Sequence, residues 1–540
     1  MDVLQSLFAL SVLLTLYHIY RRWNRISVAD IPGPEPDSFL LGGSIEYYQS
    51  QAAEARPRRS TDFKWQARFG HVVRVHGILG TDRLLISDPK AIHHIYTSGY
   101  NFRKTDFRSE VTRAATGPGL AWANDETHRR QRRINSPAFG TAEARSYVPT
   151  FIQLSAEWKE TLGADSSIVV NVPRFFSRFF LDVIGEVAFD YQFGATEDVN
   201  DPVAAAFFSV APNLFSPSKP AIFILGLLEQ MPSRLIEVFM KYFPSKGLKN
   251  TRYVTRIAVG VAKKLVDEKA EALLAGKGKR DVMSLLVKAN VSANPRTNLS
   301  EEEMLAQMQT IMQAGHETTA NTMSWTLFEL TQHLDIQTKL RAEIHATEHM
   351  IHERGDTEFT AADLDSMPYT IAVMKEVLRF HPVSYNGFRE AARDEILPLS
   401  KPIVTKSGKT ITEIPIPKHQ ILVISNGGYN RNTDVFGPDA RIFNPGRWLD
   451  GTVKPDANIG VYGNLLTFGS GQRACIGWRF AVYEYQAFLV ELVKNFEFTM
   501  DPTLSLKVRR EAAIVMIPTI EGEVAKGSQL PITIRAVDSL

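Results

Sequence analysis

One cysteine occurs in 540 residues, Cys475, and it sits in the stretch Phe-Gly-Ser-Gly-Gln-Arg-Ala-Cys-Ile-Gly from Phe468 to Gly477. Gly469, Gly471 and Gly477 crowd around it, and glycine lets backbone turn sharply or approach a flat ligand closely. Arg473, two residues before it, is suited to a carboxylate, and positive charge nearby favours a thiolate over a thiol. Beyond Gly477 the pattern turns apolar and helical, through Trp478, Phe480, Ala481, Tyr485 and Phe488 to Val493. The sulfur is therefore expected near a helix N-terminus, where N–H groups and the helix dipole stabilise negative charge. A lone cysteine forms no disulfide within its chain. A thiolate zinc site wants several, and a cysteine nucleophile wants a histidine base that the local segment lacks. An inert buried thiol is the bland alternative; the glycine and arginine pattern favours a thiolate ligand.

The fixed positions Phe468, Gly471, Arg473, Cys475 and Gly477 resemble the haem-binding signature of the cytochrome P450 family, Phe-x-x-Gly-x-Arg-x-Cys-x-Gly. The resemblance implies heme b with its iron ligated axially by Cys475, Arg473 at a haem propionate, and Phe468 and Gly477 against the cofactor. It extends from about residue 35 to the C-terminus, through four more motifs in the family's order. His128 and Arg132 are four apart and share a helix face; the resemblance places both at the propionates. Their neighbours Arg129, Arg130 and Arg133 are either a solvated basic face or a surface for an acidic electron donor. In Ala314-Gly315-His316-Glu317-Thr318-Thr319, small residues and paired threonines are expected to weaken a helix. By resemblance this is the oxygen groove, with Ala314 and Gly315 against the haem and Thr318, assisted by Glu317, delivering protons. Glu376 and Arg379 are placed for an i, i+3 bridge. The resemblance buries them with Arg447 as a structural triad, and Gly446 stands where many members carry Glu. Arg389 matches a propionate-contacting position.

These residues need elements to hold them. Two strands are predicted at His71–His76 and Arg83–Ser87, with a turn between and a helix opening at Pro89. Tyr47–Glu54 reads as a short helix and 98–117 as a long loop, with Phe102, Phe107 and Val111 as candidate pocket lining. Helical runs follow at Phe175–Phe189 and Val261–Leu274. Ser300 with Glu303 gives a capping box opening a long, nearly all-apolar helix to His333. Further elements are a helix at Tyr369–Phe380, strands near Val383–Phe388 and Gln420–Ile424, a weakly patterned hairpin around Ser407–Lys409, and a strand near Val515–Ile520. The fold expected is mainly α with a small β region, the triangular helical haem domain of the family. Residues 40–540 form its catalytic domain.

The N-terminus stands apart. Val3 to Ile19 is largely apolar and is followed by Arg21, Arg22 and Arg25, close to the ~20 residues a membrane span needs. No convincing cleavage site follows. Residues 1–25 are thus expected as a membrane anchor and 26–39 as a proline-rich hinge. The topology expected is single-pass in the endoplasmic reticulum membrane, with the catalytic domain cytosolic. A net charge of +2 gives no reason to expect nucleic acid, and one cysteine excludes a disulfide scaffold. The implied activity is a haem-dependent monooxygenase inserting one oxygen atom from O2 into a lipophilic small molecule. The pathway implied is fungal secondary metabolism, with terpenoids as one class. Electrons would come from NADPH through a separate NADPH-cytochrome reductase, with cytochrome b5 as a further candidate partner. The alternatives are a haem-thiolate isomerase or dehydratase, and a xenobiotic or fatty-acid hydroxylase.

Overall fold

A computed structural model describes residues 26–36, 38–43, 61–162, 167–197, 219–275, 281–292, 298–453, 459–512 and 515–537. Its axis is the helix Glu301–Gln332. Ser300 Oγ accepts from the Glu303 amide at 3.2 Å, and the Glu303 carboxylate accepts from the Ser300 amide at 3.0 Å. This satisfies two otherwise orphaned donors. Apolar residues on nearly every side bury the helix along its length, from Met304 and Met308 to Trp325 and Leu330. The interruption expected at Ala314–Thr319 does not occur, because the helix is continuous. Thr318 and Thr322 hydroxyls donate to the carbonyls of Ala314 and Thr318, at 2.7 and 2.8 Å, so they follow the helix instead of breaking it. Gly315 suits close packing here, since a Cβ would lie 2.7 Å from the Ile184 side chain of the crossing helix Val172–Phe189.

That crossing helix also grips Trp478–Asn495, the helix that follows the cysteine loop. Phe179 and Phe180 meet Phe488 edge-on, with centroids 4.7 and 4.9 Å apart. Such pairs add about 0.5–1.5 kcal/mol each beyond the area they bury. The largest sheet has five strands in the order Val72–His76, Asp82–Ile86, Ile421–Ser425, Asn386–Ala391, Phe102–Arg103. All its pairs are antiparallel except Asp82–Ile86 with Ile421–Ser425, which run parallel in the register Arg83 to Ile421. The Ser407–Lys409 turn joins Glu395–Val404 to Thr410–Ile416. Register shifts between Pro398 and Ile403, which explains the broken alternation in the sequence.

Several expectations change. Residues 98–117 are not one loop: Phe102–Arg103 is a strand and Asp106–Thr116 a helix. Thr105 caps that helix, accepting from the Arg108 amide, and Gly117 ends it at φ 76°. One helix spans Lys246–Leu274, longer than the run that opened at Val261. The proline-rich lead-in is packed rather than free, with Val28 and Ile31 buried and the Arg74 amide donating to Pro32 O at 2.9 Å. The expected Tyr47–Glu54 helix lies outside the described residues.

The fold is mainly helical with minor β content, but its expected transmembrane element is corrected. Among the described residues no helix is long and apolar enough to cross a membrane. The 1–25 segment lies outside the described residues. The expected anchored, single-pass endoplasmic-reticulum topology and membrane partner thus have no such helix among the described residues and are not carried further.

Candidate active site

The central helix and the cysteine loop both line a cavity of about 640 Å³, within the ~300–1,000 Å³ typical of small-molecule sites. The helix contributes Ala314, Gly315, Thr318 and Thr319. The loop contributes Phe468, Gly469, Arg473, Cys475 and Gly477, and Phe388 and Arg389 enter from the sheet. The loop's path depends on Gly471 at φ 62°, where a Cβ would overlap the Tyr96 carbonyl. The Cys475 amide donates to Phe468 O at 2.8 Å, folding the loop back on itself.

Positive charge converges on this cavity. Arg473 donates to Ala123 O at 3.1 Å and to Asn124 Oδ1 at 2.7 Å, while its Nε is buried without a hydrogen-bond partner. Burial, with Arg389 nearby, pulls its pKa down to about 10. Arg132 donates to Ala474 O at 2.5 Å. His128 is buried, with Nδ1 2.8 Å from the Tyr100 hydroxyl; burial first, then Arg473, Lys104, Arg132 and Arg389, hold its pKa at about 3. Arg389 donates to Phe388 O at 2.8 Å and lies over the Tyr96 ring. The sequence reading missed Lys104, whose ammonium donates to the carbonyls of Leu120, Ala121 and Ala123. Burial, Arg473 and Arg389 push its pKa well below the usual lysine value. Arg130, by contrast, pairs with Glu303, so it does not belong to a free basic patch. Lining from 98–117 also shifts. Phe102 joins the main core and Phe107 packs with Leu228 and Ile236, while Lys104, Arg108 and Thr112 face the cavity.

The acids are arranged otherwise. Glu317 turns toward the neighbouring helix, accepting from Ser177 Oγ and, at 3.0 Å, from Asn321 Nδ2. Thr318 and Glu317 thus lie on different faces. A carboxyl that sequence reasoning missed does line the cavity. Glu484 is wholly buried, its Oε2 accepts from Thr319 Oγ1 at 2.7 Å, and its Oε1 has no hydrogen-bond partner. Burial drives its pKa up to about 8, so it is neutral at pH 7. Nine positions beyond Cys475, in a run read as apolar helix, it carried no distinguishing signal.

Below the site, Glu376, Arg379 and Arg447 meet with no exposed side-chain surface. Glu376 accepts from Arg379 Nε and Nη2 at 2.8 and 2.7 Å, and from Arg447 Nε at 3.1 Å. It also accepts from Trp448 Nε1 at 3.0 Å and the Asn444 amide at 2.8 Å. Asp439 adds a second carboxylate, 2.5 Å from Arg447 Nη1. Asn444 Oδ1 accepts from the Gly446 amide at 2.9 Å, so the departure at Gly446 is held locally.

The cation set and its orphaned buried donor fit a flat group bearing two carboxylates. The sulfur is different, and the expected axial ligation of haem iron by Cys475 is corrected. Cys475 is exposed. Its surroundings nonetheless desolvate it, raising the thiol's pKa; the Gly477 backbone and Arg132, not Arg473, offset this only in part. Both observations follow from its place on the cavity wall, and the chain alone holds a neutral thiol there.

Fold and cavity together define a mainly helical protein with a cation-rimmed cavity between its central helix, its largest sheet and the cysteine loop. The Cytochrome P450 family model matches residues 32–524, and the chain belongs to that family as a cytochrome P450 monooxygenase, an oxidoreductase. It is 32% identical over 486 residues to the cytochrome P450 monooxygenase claP of Ampulloclitocybe clavipes, covering 88% of each chain. It is 32% identical over 523 residues to claO of the same fungus, covering 94% of this chain and 93% of that one. Cytochrome P450 monooxygenase 91 of Postia placenta is 30% identical over 544 residues, with 96% of each covered.

Proposed function

We propose that this monooxygenase inserts one oxygen atom from O2 into a lipophilic small molecule of fungal secondary metabolism, with terpenoid skeletons the first class to test. The observation that carries the reading is the cavity, which apolar side chains such as Ile184, Ile311, Val383, Val515 and Met516 line together with the threonines of the central helix. Haem, which family membership implies, supplies the dioxygen chemistry when bound. His128, Arg132, Arg389 and Arg473, joined by Lys104, would hold its two carboxylates. Phe468 and Gly477 would shape the loop beside it, and the small side chains of Ala314 and Gly315 would leave room along the central helix. Thr318 holds a hydroxyl proton at the cavity edge, 2.7 Å from Ala314 O. Glu317, bonded to Ser177 and Asn321, fixes the helix behind it. Residues 40–540 act as one catalytic unit.

The test is reconstitution with NADPH and a P450 reductase over a panel of terpenoids and fatty acids, following NADPH and O2 consumption together with product mass. Coupled consumption with gain of one oxygen supports the reading. A converted substrate with neither NADPH nor O2 consumed would point to isomerase or dehydratase chemistry and overturn it.

A further inference from the structure

We propose, building on the monooxygenase reading above, that Arg108 makes this cavity a site for a lipophilic substrate carrying a carboxylate. Arg108 reaches the cavity from the helix Asp106–Thr116, with its guanidinium carbon 4.0 Å from the centre of the Phe388 ring. Stacking holds the guanidinium in place and leaves its N–H edge available, the geometry that suits two-point recognition of a carboxylate. Its Nε is buried and has no hydrogen-bond partner.

The other arginines in and beside this helix are neutralised. Arg103 pairs with Glu390 at 3.2 Å and Arg113 with Glu237 at 3.1 Å. Among the described residues Arg108 forms no ion pair. Thr112, one turn on and also lining the cavity, has its proton committed to the Arg108 carbonyl at 2.8 Å, so the arginine is the donor at this spot.

Arg108 also stands apart from the cations assigned to the prosthetic group. Arg473 and Arg389 act on Lys104, and with Lys104 and Arg132 they act on His128, whereas Arg108 is stacked on the Phe388 ring. A group with two carboxylates accounts for that set and leaves the charge of Arg108 over. A cation that lines a largely apolar cavity without an ion-pair partner is compensated when an anion arrives. An acid with an apolar skeleton brings that anion and fills the apolar remainder of the cavity.

The experiment is calorimetric titration of the full-length holoenzyme with two matched pairs, abietic acid against abietinol and dodecanoate against dodecanol. Each acid is expected to bind about tenfold to a hundredfold more tightly than its alcohol. In Arg108→Met that preference disappears while alcohol affinity stays within about twofold, and Arg108→Lys keeps part of it. Unchanged thermal melting of both variants separates this from misfolding. Equal binding of acid and alcohol by the wild type, or a preference that survives Arg108→Met, overturns the proposal and leaves the lipophilic reading intact. If neither acid nor alcohol binds the wild type, the lipophilic reading fails too.

Discussion

The charges around Glu376 are buried and those around the cavity partly so, and the two sets are built in opposite ways. In the first region each charge meets its counterpart: Glu376 lies between Arg379 and Arg447, Asp439 completes Arg447, and carbonyls take the spare guanidinium donors, Asn430 at 2.9 Å among them. In the second, Lys104, Arg132, Arg389 and Arg473 converge on carbonyls and on one another, and the carboxyl on the cavity wall, Glu484, is neutral. A closed network carries its own compensation and serves the scaffold. An open one, where burial lowers the pKa of Lys104, Arg132 and Arg473 and the Arg473 Nε is orphaned, is compensated only when something anionic occupies the cavity.

The largest test of this contrast is to open the closed network. Arg447→Leu should cost roughly 3–5 kcal/mol in urea unfolding, because Glu376 and Asp439 lose a buried partner; a loss under about 1 kcal/mol would mean the network is not self-compensating. Next comes Glu484. Its folded pKa is raised to about 8, so its contribution is fully present below the unfolded value near 4.5 and is lost as pH climbs toward 8. Stability relative to Glu484→Gln should therefore fall by about 1.4 kcal/mol per pH unit across that window. A flat difference between pH 5 and 8 would show that the carboxyl is ionised throughout. Arg473→Met should be milder, within about 1 kcal/mol in protein stripped of haem, since it also relieves repulsion; a loss rivalling that of Arg447→Leu would erase the distinction. The smallest signal is at His128. Removing the Arg473 charge should raise its pKa from about 3, read by histidine NMR, and an unmoved value would leave burial as the sole cause.

What the sequence disclosed follows the range of the interactions involved. The glycine-rich stretch around Cys475 and the Ser300–Glu303 cap are settled within ten residues, so their residue types betray them. The strands at 72–86 were legible from two short apolar runs on either side of a glycine-bearing turn; both of their faces pack inward, Val72, Leu84 and Ile86 into one cluster and Val73, Val75 and Leu85 into another. The Asp106–Thr116 helix was not, since it relies on a single capping threonine and on Phe107 packing against Leu228 and Ile236 from far along the chain. Arg130 read as a loose surface charge because its partner, Glu303, lies 173 residues away. Glu484 hid inside an apolar helical pattern, and only the placement of Thr319 against it reveals its role. Cys475 is the reverse case. Its motif was plain, but the exposure and protonation of its sulfur depend on what surrounds it in three dimensions.

The parallel pairing of Asp82–Ile86 with Ile421–Ser425 bears on how the chain is made. Gln420 Nε2 donates to the Asp82 carbonyl across a separation of 338 residues. At the ~5–20 residues per second of ribosomal synthesis, the early strand waits roughly 17–70 s for its neighbour to emerge. Throughout that interval an apolar strand edge is open to the wrong partner. Heterologous production of this enzyme should therefore respond to chaperone supply and slower growth temperature before it responds to any change in the cavity.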